Sequence, residues 1–398
     1  MKTLTPVVLL LLSASPALAE SKDPELWITI GAETIEPLRA MFKDAGWQEP
    51  LVVQERERVA VFRVRESQLD GISRMMHDRY HRCAGFITYD TQAEALAALE
   101  PAPEPPVQTA ISYTLNNATT VNALMGAMLE SNVRSTITGL SGYSTRYYTS
   151  QSGVDAANWL RTRWQGYAAG RSDVTVSLFQ HTGWAQPSVV LTIQGTSLPN
   201  EVVVIGGHLD SINSSGGSAP GADDDASGVA SFTEVIRAAM ARNYRPARTV
   251  KFIAYAAEEV GLRGSKEIAT WHKNNGINVV GVLQLDMTNY KGSSVDVAII
   301  TDNTNAAQNQ FIRNLITTYV KISQTNTSCG YGCSDHASWH NLGFAASIPF
   351  ESTLSQSNPY IHTSSDTISR SSGVATHALK FSKIAAAYMA ELAKGTAQ

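Results

Sequence analysis

Three apolar runs in the second half of the chain have the composition of buried strands. They cover residues 202–205, 250–255 and 279–285 and are rich in β-branched and aromatic residues. Apolar residues recur at helical spacing over 229–240, between the first two runs. Alternation of such strands and helices is the βαβ pattern. We therefore predict an α/β fold with a mixed, mainly parallel central sheet flanked by helices. Helical stretches at 121–129 and 154–164 and strands at 174–178 and 189–193 lead into it.

The first hundred residues show a second, smaller pattern. Strand-like runs at 26–30, 59–64 and 86–89 alternate with helical segments, which predicts a small α/β unit. A proline-rich segment, 101–106, follows and is typical of a semi-rigid, exposed linker. We expect a unit at 20–106, linker included, and a catalytic domain at 107–398. The hypothesis is that the first unit is a propeptide, which makes the protein a zymogen and either assists folding or inhibits the active site. The alternative is an accessory domain retained in the mature protein.

The N-terminus has the features of a signal peptide. A lysine at position 2 precedes the apolar run 7–12, and an Ala-x-Ala site ends at Ala19. The run is too short to span a bilayer, so we expect residues 1–19 to be cleaved and the protein secreted without a membrane anchor.

Metal-binding residue types follow the predicted strands or lie in loops. Because parallel strands present their carboxyl ends at one edge of a sheet, distant residues can meet there. Two imidazoles and three carboxylates suit zinc, and also manganese or cobalt. If one carboxylate bridges, two ions each receive three ligands and keep a position for water or substrate, an arrangement suited to hydrolysis. The five candidates are His208, Asp224, Glu259, Asp286 and His362.

The adjacent Glu258 and Glu259 need different roles. Neighbouring side chains leaving a strand point in different directions, so both serve one site only if one binds metal and the other faces the attacking water. The second role is that of a general base. The flanking Asp223 and Asp225 are expected to cap the following helix or to accept hydrogen bonds.

The ordered motifs resemble the bacterial secreted leucyl aminopeptidases of the M28 family of dizinc peptidases, the Vibrio type. They are Gly-Gly-His208-Leu-Asp210, Pro220-Gly-Ala-Asp-Asp224-Asp-Ala-Ser-Gly228, Ala257-Glu258-Glu259-Val-Gly261, Leu285-Asp286-Met287 and Ile361-His362-Thr363. The resemblance implies a zinc exopeptidase fold, two Zn²⁺ per catalytic domain, and a preference for leucine and other apolar residues. It also implies that His208 and Asp286 hold one zinc ion, Glu259 and His362 hold the other, and Asp224 bridges. Glu258 would be the base, and Asp210 would orient the His208 ring.

Cys329 and Cys333 are close enough in sequence to close a small loop, and export permits a disulfide. Reduced or metal-binding thiols are the alternative. The resemblance implies the disulfide, with Tyr331 between the two cysteines helping to stabilise the oxyanion. Cys83 is left unpaired, and we expect it in a segment that is buried or later discarded.

The carboxylate-rich site offers an anchor for the free N-terminal amine of a peptide or protein. Met287, Ile300, Phe350 and Ile361 could line a pocket for an apolar first side chain, or could be core residues.

Other chemistries are poorly supported. His336 and His340 have the spacing of a zincin motif, but Ala337 stands where that motif needs its glutamate, so both are expected to be structural. No Gly-x-Ser-x-Gly elbow, Walker motif or dinucleotide fingerprint occurs. A carboxypeptidase, a single-zinc glutaminyl cyclase and a noncatalytic binding protein on the same scaffold remain open.

Composition limits the partners. The chain has 398 residues, 31 Lys and Arg against 35 Asp and Glu, and a net charge of −4. That balance gives no attraction to nucleic acid or to an anionic membrane. We expect a monomer.

Overall fold

The computed structural model describes residues 23–48, 51–56, 59–80, 82, 84–100 and 111–398. The predicted signal peptide, the linker 101–106 and Cys83 lie outside the described residues. Within the described ranges, no helix is both long enough and apolar enough to cross a membrane.

The N-terminal unit is an antiparallel sheet with helices, as its pattern predicts. Its strand order is β2-β3-β1-β4. One face of the sheet, which includes Ile28 and Phe62, packs on α1 and α2. The opposite face, which includes Val61 and Ile87, packs against Leu262 and Ala337 of the larger domain. The elements are β1 Glu25–Gly31, α1 Ile35–Asp44, β2 Leu51–Arg56, β3 Val59–Arg65, α2 Leu69–Tyr80, β4 Phe86–Tyr89 and α3 Gln92–Ala97.

The larger domain is built on a six-stranded sheet. The strand order is β12-β9-β7-β8-β6-β5. β12, β9, β7 and β8 run parallel, whereas β6 and β5 are antiparallel additions at one side. This confirms the prediction of a mixed, mainly parallel sheet. The strands are β5 Val174–Phe179, β6 Ser188–Ile193, β7 Leu198–His208, β8 Arg248–Tyr255, β9 Asn278–Gln284 and β12 Ala346–Ser347. A small second sheet contains β10 Val297–Ile300, β11 Gln324–Thr327 and β13 Pro349–Phe350.

Helices cover both faces of the large sheet. One face is buried in the main core with α7 and α11, where Phe232 and Phe252 stack. The other face packs on α8 and α10 around the buried Trp339. Because both faces are covered, the central strands are apolar along their whole length, which explains the continuous apolar runs. The helices are α4 Ala118–Gly126, α5 Glu130–Ser141, α6 Gln151–Tyr167, α7 Ala226–Ala241, α8 Arg263–Asn274, α9 Ala306–Leu315, α10 His336–His340 and α11 Ala378–Ala393.

Candidate metal centre

The carboxyl ends of three parallel strands meet at one edge of the large sheet. His208, the last residue of β7, pairs with Tyr255 of β8, and Gly206 pairs with Gln284 of β9. Glu259 and Asp286 follow the ends of β8 and β9 within a few residues. The register of the sheet therefore brings together residues that are far apart in sequence.

Asp224 lies between the two histidines. Its Oδ1 is 2.8 Å from His208 Nε2, and its Oδ2 is 3.2 Å from His362 Nε2. Asp286 Oδ1 lies 3.6 Å from His208 Nε2, on the first side. Glu259 Oε2 lies 2.8 Å from His362 Nε2, on the second. All five side chains are buried, and they form one group with Asp224 at its centre.

The donor atoms of this group fit a cation. Among the described residues, both oxygens of Glu259, Asp286 Oδ1 and His362 Nε2 are buried and make no hydrogen bond. Glu259 Oε2 and His362 Nε2 are close but not aligned for hydrogen bonding, as expected of atoms directed at a common third atom. Buried polar atoms without partners are costly. Imidazole nitrogens and carboxylate oxygens are the ligands that zinc takes in such sites.

The electrostatics also favour bound cations. Burial acts to lower the pKa of His208 and of His362, but the surrounding carboxylates raise both well above the usual range. Burial raises the pKa of Glu259 to about 7. For Asp224, burial acts to raise the pKa, but the hydrogen bond from His208 and the nearby imidazole of His362 hold it below its usual value. The site buries three candidate carboxylates with only two imidazoles. Bound cations would relieve the repulsion between the carboxylates.

Asp225 is a second carboxylate near His208 and Asp286. Ligand atoms of these three residues lie within 4.8 Å of one another. However, both oxygens of Asp225 accept backbone hydrogen bonds, Oδ1 from Gly228 N at 2.8 Å and Oδ2 from His208 N at 3.0 Å. It is the N-cap of α7, which agrees with the capping role predicted from sequence. Asp224 remains the better candidate to bind metal. The peptide bond between Asp224 and Asp225 is cis.

Asp210 links His208 to the pair of glutamates. Its Oδ1 accepts a hydrogen bond from Glu258 N at 3.0 Å and its Oδ2 accepts one from Glu259 N at 3.1 Å. His208 Nδ1 is 3.5 Å from Asp210 Oδ1 and 3.2 Å from the main-chain oxygen of Asp210. The sequence predicts only the contact with His208. The structure adds that Asp210 holds the backbone of the glutamate pair.

The side chain of Glu258 makes no hydrogen bond to the candidate ligands. Both of its carboxylate oxygens are buried without a hydrogen-bond partner among the described residues. Burial raises its pKa well above the usual range, and the carboxylate of Glu259 adds to that effect. A buried carboxylate with no fixed partner and a raised pKa has the properties of a general base.

Two buried residues that hold the site are not evident from sequence. Ser334 Oγ donates to Asp286 Oδ2 at 2.6 Å. Arg146 donates through Nε to Leu209 O at 2.7 Å and through Nη2 to Gly221 O at 2.9 Å, so it joins the loops that carry Asp210 and Asp224. Neither belongs to a motif. The adjacent Cys333 is the only local signal near Ser334.

Cys329 and Cys333 form a disulfide, which confirms that prediction. Met287, Ile300, Phe350 and Ile361 form one buried cluster with this disulfide, and Tyr331 packs against the cluster. The four apolar residues, the cystine and Tyr331 line a small cavity that also reaches Asp286. The predicted pocket residues therefore lie together beside the candidate metal centre.

His336 and His340, the two histidines with zincin spacing, lie in α10. His336 Nε2 is 3.2 Å from the main-chain oxygen of Asp302, and burial lowers the His336 pKa to about 3. Burial also lowers the pKa of His340. Among the described residues, neither belongs to a group with metal-binding geometry.

Comparison with known proteins identifies the family. The model of peptidase family M28 matches residues 188–388. Leucine aminopeptidase 1 of Arthroderma gypseum is 39% identical over 306 residues, which cover 72% of this chain and 81% of the relative. The structure of the LapA aminopeptidase of Legionella pneumophila superimposes with a TM-score of 0.80 at 28% identity, covering 94% of this chain and 99% of that one. LapB of the same organism gives 0.79 at 28% identity, covering 93% of this chain and 100% of that one. The chain belongs to peptidase family M28.

Proposed function

We propose that this protein is a secreted metallo-aminopeptidase that hydrolyses the N-terminal peptide bond of peptides and proteins, preferring leucine and other apolar first residues. Family membership and relatives named leucine aminopeptidases support an exopeptidase. The observation that carries the two-metal proposal is the position of Asp224. Its two oxygens face two different imidazoles, at 2.8 Å from His208 and 3.2 Å from His362.

In this proposal, His208 and Asp286 would hold one zinc ion, Glu259 and His362 would hold the other, and Asp224 would be a ligand shared by both. When bound, such ions would polarise the scissile carbonyl and lower the pKa of water, so that a hydroxide nucleophile is available near neutral pH. Metal analysis of the purified protein tests the count, and two zinc ions per chain are expected. Saturation at one ion per chain would contradict the bridging role of Asp224.

Glu258 supplies the proton transfers. Its free carboxylate oxygen takes a proton from the attacking water and later delivers it to the nitrogen of the departing amine, so the residue ends the cycle unchanged. Glu258→Gln keeps the shape but removes the base. Turnover should fall by roughly two to four orders of magnitude while metal stays bound. Glu259→Gln is the matched variant and should lose metal instead. The reverse result would exchange the roles of the two glutamates.

The substrate fits through its amine and its first side chain. The free amine binds among the carboxylates of the site, and Glu258 or Asp286 could receive it. The cavity lined by Met287, Ile300, Phe350 and Ile361 would receive the apolar side chain, and Tyr331, which also lines it, would stabilise the oxyanion. A leucine anilide and its N-acetylated form discriminate the reaction class. An aminopeptidase hydrolyses the anilide with the free amine and loses the N-acetylated one, whereas a carboxypeptidase needs a free C-terminal carboxylate and hydrolyses neither. Cyclisation of an N-terminal glutamine without peptide cleavage would indicate a glutaminyl cyclase.

We further propose that the N-terminal unit inhibits the enzyme until the linker 101–106 is cut. Helix α2 lies over the candidate centre, with the His77 ring against the His362 ring at 4.6 Å between centroids. Ser73 Oγ donates to the main-chain oxygen of Glu259 at 3.0 Å. The Arg82 guanidinium lies over the Tyr331 ring at 4.9 Å. In this proposal, these contacts block the approach of a peptide to the metals.

Further contacts hold the unit in place. Arg263 pairs with Glu66 at 2.5 Å, and both side chains are largely buried. Thr88 donates twice to Gly261 O, from N at 3.1 Å and from Oγ1 at 3.0 Å. A buried ion pair and main-chain hydrogen bonds of this kind favour one docked position over a loose association.

The test uses the full chain with a specific protease site placed within 101–106. Before cleavage, turnover should be low. After cleavage and separation of the N-terminal unit it should rise. His77→Ala should raise the activity of the uncut protein, whereas Arg79→Ala, an exposed change on the same helix, should not. Full activity of the uncut parent protein would leave the unit as a folding aid or a retained domain.

Export rests on the predicted signal peptide at 1–19. Sequencing the N-terminus of protein recovered from the culture medium tests it. A medium protein beginning at residue 1, or none in the medium, would contradict secretion by this route.

A further inference from the structure

A serine, a histidine and a glutamate form a hydrogen-bonded series outside the metal centre; the histidine side chain is buried and the glutamate side chain is 35% exposed. His181 lies between β5 and β6, Ser188 is the first residue of β6, and Glu267 is in α8. His181 Nδ1 is 2.7 Å from Glu267 Oε2, and His181 Nε2 is 2.7 Å from Ser188 Oγ. The order of contacts is that of a serine hydrolase triad.

These residues cannot act as a nucleophilic triad. Ser188 is fully buried, and its Oγ already accepts a hydrogen bond from Ala256 N at 2.9 Å. The ring of His181 contacts Phe179 at 5.0 Å and stacks on Trp184 at 4.8 Å between centroids. A nucleophile needs an open approach for its substrate, and the hydroxyl of Ser188 has none.

The contact with Ala256 gives the series another role. In β6 and β8, Val189 pairs with Ala254, and the ladder ends there. Ala256 N, just past that end, donates to the side chain of Ser188. With a neutral imidazole and an ionised glutamate, every contact is satisfied: Ala256 N–H donates to Ser188 Oγ, the serine hydroxyl donates to His181 Nε2, and His181 Nδ1–H donates to Glu267. Each group orders the next, so the series fixes the position of one main-chain N–H.

The segment held in this way leads to the glutamate pair. Ala257 has φ of 57°, in the left-handed region, which is unfavourable for alanine and persists only where the surroundings enforce it. Glu258 and Glu259 follow directly, and Asp210 holds their N–H groups at 3.0 and 3.1 Å. The strained residue is therefore fixed on both sides, by Ser188 before it and by Asp210 after it.

We infer that Ser188, His181 and Glu267 are positioning residues that fix the 256–259 turn and so aim the Glu258 carboxylate at the reacting water. The inference rests on the proposed function, in which Glu258 is the base. The series makes no contact with the candidate ligands, so its loss should affect the geometry of the base more than substrate binding or metal content.

The test compares His181→Phe, which keeps a stacking ring and removes both nitrogens, with His272→Phe. His272 is a buried histidine in α8 that does not belong to the series; it is bonded to Ile268 O at 2.8 Å and to Lys251 Nζ at 2.9 Å. Each is assayed as the cleaved enzyme. For His181→Phe we expect kcat to fall by about tenfold or more, with KM within about twofold and metal content unchanged. His272→Phe should keep the parent kcat. Ser188→Ala serves as a second, smaller change if His181→Phe does not fold.

Two further measurements separate positioning from general damage. Hydrogen exchange at Ala256 N should accelerate in His181→Phe and Ser188→Ala but not in His272→Phe. In a Glu258→Gln background, His181→Phe should have no further effect on kcat, because the aimed carboxylate is gone. An unchanged kcat in both His181→Phe and Ser188→Ala, or equal losses in His181→Phe and His272→Phe, would overturn the inference. If Glu258→Gln itself keeps full turnover, the proposed base is wrong, and that failure is distinct.

Discussion

Arg146 offers the sharpest test of how the loops of the site are held. The side chain is fully buried and donates to the main-chain oxygens of Leu209, Pro220 and Gly221. Arg146→Met keeps a similar apolar volume but leaves these carbonyls without their donor. Each unsatisfied buried acceptor costs roughly 1–3 kcal/mol, which sums to several kcal/mol.

Part of that loss is offset, because folding of the methionine variant does not require a guanidinium to be removed from water. A hydrogen bond to a charged group contributes roughly 1.5–3 kcal/mol net; with three such bonds lost and part of that loss offset, we expect a loss of about 4 kcal/mol in the free energy of unfolding. The partners of Arg146 are main-chain carbonyls that stay buried in the variant. The free-energy cost of these unpaired acceptors therefore exceeds the gain from no longer desolvating a guanidinium.

Calorimetry on the full chain, with chelator present to remove metal linkage, measures the effect. In a domain of this size, 1 kcal/mol corresponds to roughly 2–4 °C in Tm, so the transition should fall by about 10 °C. Arg134→Met is the matched control. Its side chain is 46% exposed and pairs with Glu130 on the surface, so its loss should be under about 1 kcal/mol. A shift for Arg146→Met no larger than that of the control would refute this account.

Three further predictions concern metal and pH. Ser334→Ala, which removes the hydrogen bond to Asp286, should weaken zinc binding by roughly 10–100-fold in a chelator competition. Ser338→Ala is the control, because Ser338 is also buried but is bonded to another serine and not to a candidate ligand; it should leave the zinc affinity unchanged. Saturating zinc should raise the Tm of chelated protein, since free ligand at about 1,000 times Kd adds roughly 4 kcal/mol; an unchanged Tm would argue against a bound metal. Burial lowers the pKa of His377 to about 4, whereas in the unfolded chain the imidazole takes up a proton near pH 6.5. The folded state therefore loses stability as the pH falls from about 6.5 toward 4, and the loss between pH 8 and pH 5 should be about 2 kcal/mol. Urea unfolding of His377→Gln should lack that part of the pH dependence, and an unchanged slope would show that this histidine does not titrate on unfolding.

Much of the fold and of the site could be predicted from local sequence. The apolar runs of β7, β8 and β9 predict buried parallel strands because both faces of the sheet are covered. Since such strands present their carboxyl ends at one edge of a sheet, the sequence alone predicts that the metal-binding residues that follow them lie close together. The cap at Asp225 and the disulfide were likewise predictable, because each depends on residues a few positions apart.

The sequence by itself determined the elements, the family motifs and the kinds of atoms that meet at the sheet edge. Only the tertiary structure decided which groups hold those atoms in place and what covers them. Ser73 and the Glu259 carbonyl it contacts are 186 positions apart, and Arg146 is 63 positions from Leu209. Contacts of that kind leave no periodicity or spacing in the chain, because they are set by how whole elements pack and not by the residues beside them.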